Sequence, residues 1–99
     1  MRPTMNLQIA NTLSAVPEVE SIYVLPGACA ADVQVLTIVD KEDDQVYALI
    51  YEKELQLARE LPGVQFDFSV RARQGRPVEH IVGQNHPAWE RARRNGHPD

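Results

Sequence analysis

Apolar residues recur along this chain at two different periods, and each change of period marks a new element. From Thr4 to Val16 the apolar positions Met5, Ile9, Leu13 and Val16 fall at steps of four, four and three, the spacing of one helical face. Thr4 suits the N-cap of that helix and Pro17 its stop. The next stretch, VESIYVLPG, is rich in β-branched and aromatic residues and runs into Pro26-Gly27, which predicts a strand. ADVQVLTIVD follows at once, with Val33, Val35 and Val39 on one side and Leu36 and Ile38 on the other. A strand that is apolar on both sides belongs in the middle of a sheet covered by helices.

The acids of KEDD suit a helix N-terminus, and DQVYALIYEKELQLARELPG reads as a helix stopped by Pro62-Gly63. On its wheel Val46, Ile50, Leu57 and Leu61 share an arc with Tyr47, Tyr51, Leu55 and Ala58, a broad stripe expected to lie on the sheet. Glu54 falls inside that stripe. It is either a buried acid with a raised pKa or one that snorkels or pairs with an arginine. VQFDFSVRAR then alternates Val64, Phe66, Phe68 and Val70 with Gln65, Asp67, Ser69 and Arg71, the period of a strand.

Beyond Arg76-Pro77, VEHIVGQ predicts a short helix. NHPAWERARRNG predicts another, with Asn85 or His86 capping, Pro87 in the first turn and Gly96 at the end. The order is helix, strand, strand, helix, strand, helix. These stripes would be buried by an α/β fold, a small three-stranded mixed sheet packed with helices, within one domain spanning residues 1–99.

Composition narrows the function classes. With 99 residues, 43% of them apolar and 24% charged, the chain has the make-up of a globular domain rather than a disordered one. Its N-terminal MRPTMNLQIANTL has no continuous apolar stretch, and no run has the length of a membrane span, so a cytoplasmic location without membrane contact is expected. The single Cys29 has no partner for an internal disulfide, which fits a reducing compartment. Between Ala28 and Ala30 it reads as a small packing residue rather than a nucleophile. His80 and His86 flank Gly83 with no carboxylate at zinc-ligand spacing. Trp89 and Tyr51 read as packing aromatics, with a partner contact as the other reading of Trp89.

Charge is unevenly spread within a net −4. Eleven acids face three bases from Pro17 to Asp67, whereas from Arg71 to Arg94 six arginines face Glu79 and Glu90. The basic end either balances the acidic one as a solvated face or meets phosphates or an acidic partner. Overall acidity argues against general nucleic-acid binding, which needs accumulated phosphate neutralisation.

The order of elements, with SIYVLPG, ADVQVLTIVD, VQFDF and NHPAWERARRNG at their places, resembles the minimal nucleotidyltransferases of the DNA polymerase β superfamily, from Asn6 to Gly96. In that family a strand ends in a Gly-Ser turn that holds nucleotide phosphates, the next strand opens Asp-x-Asp, and a later strand supplies a third acid. The resemblance implies Asp32 and Asp67 as metal ligands and Gly27, Arg71 and Arg73 as nucleotide-binding residues. It also marks two departures. Leu25-Pro26-Gly27-Ala28 stands where the Gly-Ser turn would be, and Gln34 where the second carboxylate would be.

Paired Mg²⁺ ions need anionic oxygen ligands, and Gln34 removes a full negative charge from the set. The resemblance therefore implies a catalytically inactive domain with vestigial positions Asp32, Gln34 and Asp67. Such a domain would act as a binding or regulatory module, antitoxin-like, beside a helical protein partner. No cofactor is expected on that reading. The alternative is a metal-dependent nucleotidyltransferase using Asp32, Asp67 and Mg²⁺. A further alternative is an unrelated α/β interaction protein, in which Asp32 caps a strand and Asp67 pairs with Arg71 or Arg73. A three-stranded sheet leaves unpaired edges close together, so self-association or a hetero-complex through VQFDFSV or SIYVL is expected.

Overall fold

The computed structural model describes residues 3–27, 32–83 and 85–91. Helix α1 (Pro3–Leu13) leads into strand β1 (Val19–Pro26), which is followed by β2 (Asp32–Val39), helix α2 (Asp44–Glu60), β3 (Gln65–Ala72), the short helix α3 (Glu79–Val82) and β4 (Trp89–Glu90). The strands form one open mixed sheet in the order β3-β2-β1-β4. β1 is antiparallel to both β2 and β4, while β2 and β3, joined through α2, run parallel.

The central place of β2 follows from its composition. Val35 and Val39 pack into a cluster with Ile9 and Leu13 of α1 and Val46, Ile50 and Leu57 of α2. From the opposite side of the same strand, Ile38 packs with Tyr23 and Val82. Burying side chains of this size is worth about 1.5–3 kcal/mol each, which makes the two-helix face the main source of cohesion. β1 reaches that face from both Val19 and Ile22, three residues apart, because its register shifts between Val19 and Ser21. A bulge at Glu20 allows it, since an unbroken strand would turn one of the two outward.

α1 starts at Pro3, a favoured first helical residue, so Thr4 is inside the helix rather than capping it. It ends at Leu13, before the expected Val16 and Pro17. Val16 still reaches the core from the following turn, at 2% exposure. α2 begins as its acids predict: Asp43 caps it, accepting hydrogen bonds from the amides of Gln45 at 2.9 Å and Val46 at 3.3 Å.

Two further expectations are corrected. Among the described residues the sheet has four strands rather than three, because the segment expected to form a closing helix is extended where it is described. There Ala88 donates its amide to Ile22 O and Arg91 to Glu20 O, and Trp89–Glu90 pair with β1. The rest of that expected helix, and its Gly96 stop, lie outside the described residues, as do Cys29 and the turn around it. The apolar stripe of α2 is also only half used. Val46, Ile50, Glu54 and Leu57 are buried, whereas Tyr51 is 60% and Leu55 41% exposed and Ala58 is exposed. One sheet and one neighbouring helix do not cover so wide an arc.

Candidate functional site

Residues two apart on a strand project to the same side, and this places the three resemblance positions together. Asp32 and Gln34 of β2 lie in register with Gln65 and Asp67 of β3, on the sheet face turned away from α1 and α2. Gln34 stands directly across from Asp67. A groove of about 200 Å³ on this face is lined by Leu25, Gln34, Leu36, Asp67, Ser69 and Arg71, with Ile81 of α3 at its side. Asp32 is on the same face beyond the groove. α3 closes only part of the surface because four residues give it a single turn.

Gly27 has a structural explanation. A Cβ there would come within 2.4 Å of the Asp32 Cβ, so only glycine fits the close approach of the two strand ends. Its amide donates to Asp32 O at 3.1 Å and is already used in the hairpin. Pro26 has no amide to give.

Arg71 and Arg73, two positions apart on one extended stretch, take different surroundings. Arg71 is exposed at the groove. Arg73 follows directly on the end of β3, six residues beyond Asp67, or about 20 Å from it along an extended chain. There its guanidinium makes paired hydrogen bonds to the Glu20 carboxylate and stands 3.9 Å from Asp40 Oδ1. The bond to Glu20 holds its pKa above the ordinary value. This pairing excludes the expected ion pair between Asp67 and Arg73. No ion pair joins Asp67 to Arg71 either among the described residues, since the two are four strand positions apart.

Asp32 and Asp67 are the carboxylates that β2 and β3 contribute to this face, and among the described residues no three His, Cys, Asp or Glu side chains gather as a metal site. His80 and His86 are both exposed. Arg71 offers a cation to an anionic group in the groove, with Ser69 and Gln34 as hydrogen-bonding neighbours.

Other polar groups were less legible. Glu54 is only 8% exposed and has no ion-pair partner among the described residues, and burial pushes its carboxyl up to about 7. The pairing with an arginine is thus corrected in favour of the buried acid. Thr37 is fully buried, and its Oγ1 has no hydrogen-bond partner among the described residues. Its signal was a hydroxyl standing in the Val33, Val35, Val39 series. Arg91 anchors the end of β4 by donating to the carbonyls of Val19, Ser14 and Val16, and its guanidinium lies 4.9 Å from the centre of the Trp89 ring. Trp89 is packed against the main core, the packing reading of that residue.

Among the described residues no helix is long and apolar enough to cross a membrane. The sequence matches no protein-family model and no curated protein.

Proposed function

We propose that this chain is a nucleotidyltransferase-like domain that does not transfer nucleotides and that acts as a protein-binding, regulatory module. The observation that carries the reading is the pairing of Gln34 with Asp67 on the face that also holds Asp32. The spacing suits a three-carboxylate metal site, but the central position offers a neutral amide. Two carboxylates and an amide have too little charge to gather two Mg²⁺ ions beside a triphosphate. The turn adds to this, since Pro26 has no amide and the Gly27 amide is bonded to Asp32. A protein partner, helical as the resemblance implies, would have the exposed apolar side chains Leu7 of α1 and Leu49 of α2 to meet.

A second reading keeps the enzyme. Arg71, Ser69 and Asp67 share one groove, an arrangement that suits a phosphate beside a single metal ion. Calorimetric titration with ATP, with and without Mg²⁺, separates the two readings. The module reading expects no metal-dependent binding. Micromolar affinity that requires Mg²⁺ would overturn it in favour of nucleotide transfer by Asp32 and Asp67.

A further inference from the structure

β3 is the outermost strand of the sheet, and among the described residues nothing pairs with its outer edge. The amide of Arg73 donates inward to Val39 O at 2.9 Å. Backbone groups alternate along a strand, so the inward-facing residues are the odd-numbered ones. The amides and carbonyls of Phe66, Phe68, Val70 and Ala72 therefore point outward. Arg76 covers one end of this edge by donating from Nη2 to Ala72 O at 3.2 Å. Phe66, Phe68 and Val70 are left as an open row of donors and acceptors, the kind of edge that takes up another strand.

Above this edge lies the unused part of the α2 stripe. Glu60 accepts a hydrogen bond from Gln8 of α1 at 2.9 Å, so its side of α2 faces α1. Tyr51 is nine residues from Glu60, two and a half turns, and so points the opposite way. With Leu55, Ala58 and half-buried Tyr47 it forms an apolar flank turned away from α1. Below that flank, Phe66 and Phe68 stack with ring centres 4.8 Å apart and are only half-buried.

The other face of β3 identifies the occupant, because its charges complement themselves. Consider a second copy pairing antiparallel with β3 about a two-fold axis at Ser69. Phe68 then faces the second copy's Val70, and Val70 its Phe68, at positions where the outward amides and carbonyls of both strands meet. Asp67 faces the second copy's Arg71, and Arg71 its Asp67, at the intervening positions where side chains come closest. Centring the pair on Phe68 instead sets Arg71 against Gln65. Centring it on Val70 sets Asp67 against Arg73, which Glu20 already holds. Only the Ser69 register joins the outward backbone groups and also neutralises both free charges, while the α2 flanks of the two copies meet across the axis.

We infer that the partner of this edge is a second copy of the same chain, joined β3 to β3 in the Ser69 register into one continuous eight-stranded sheet. This deepens the protein-binding reading and rests on it for the role of the surface, though not for its geometry. Equilibrium sedimentation and light scattering test it at increasing protein concentration. Wild type should dimerise. Asp67→Arg and Arg71→Asp each place like charges across the axis twice and should weaken the dimer roughly 10- to 30-fold. An equimolar mixture of those two variants should form a heterodimer, and the double variant D67R/R71D should regain self-association, which no general loss of fold would produce. Val70→Pro removes an outward amide and should give a monomer with an unchanged circular dichroism spectrum, as should Tyr51→Glu on the helix flank. A wild type that stays monomeric to high micromolar concentration overturns the inference. So does a dimer indifferent to both charge reversals, or charge variants that do not rescue each other. The ATP titration is read on wild type alone, so its outcome and this one are independent.

Discussion

The acid in the core of α2 makes stability depend on pH in a direction opposite to that of most carboxylates. Glu54 projects from the buried arc of the helix between Ile50 and Leu57, and loss of solvation holds its proton up to about 7, against 4.5 when it is free. At pH below the free value both folded and unfolded chains carry the proton, and Glu54 costs little. As the pH rises through the interval the unfolded chain releases its proton while the folded one keeps it, so stability falls. Above the folded value the penalty is complete. At 1.36 kcal/mol per pH unit the interval corresponds to about 3 kcal/mol, a large fraction of the stability of a domain of this size. Glu54→Gln keeps the shape and removes the charge. It should unfold at higher urea concentration than wild type at pH 8, by about 2–3 kcal/mol, with the advantage falling steadily towards pH 5 and vanishing below the free value of 4.5. In thermal unfolding the gain at pH 8 should be about 10 °C or more. Groups common to both proteins cancel in the difference, so the pH profile of the difference reports Glu54. Parallel stability curves for the two proteins from pH 5 to pH 8 would refute the assignment of a buried, unpaired acid.

Two other substitutions test the polar groups of β2. Gln34→Asp should destabilise the protein in the absence of metal by roughly 0.5–1 kcal/mol, through like-charge repulsion with Asp67 across the strands, and Mg²⁺ or Mn²⁺ should restore the lowered melting temperature by binding the folded state. If neither ion stabilises the variant more than wild type, Asp32, Gln34 and Asp67 do not converge on a metal-sized site. Thr37→Val should stabilise the protein by about 1 kcal/mol, because it replaces a buried hydroxyl that lacks a partner among the described residues with a methyl of similar size. A lower denaturation midpoint for that variant would mean that the hydroxyl is satisfied in solution.

Much of this architecture was legible in the order of residues. Apolar residues on both sides of β2 required a covered central strand, the acids of KEDD held the Asp43 cap, and the alternation from Gln65 to Ala72 set β3 with Asp67, Ser69 and Arg71 on one face. Spacing alone put Asp32 and Gln34 on a common side. These properties belong to a single segment, since the period of a strand or helix fixes which of its residues share a face. What a face meets is decided elsewhere in the chain. Pro87 and the charged run after Trp89 favour a helix locally, yet the free edge of β1, with Ile22 O and Glu20 O accepting from Ala88 and Arg91, draws the segment into a fourth strand. The α2 stripe reads as one surface on a wheel, but the sheet and α1 take only part of it and leave Tyr51 and Leu55 outside. Arg71 and Arg73 look equivalent in sequence. The bulge at Glu20 and Asp40 just beyond β2 supply carboxylates to Arg73 and leave Arg71 without one among the described residues, because strand register sets which charges become neighbours and no local pattern carries that information.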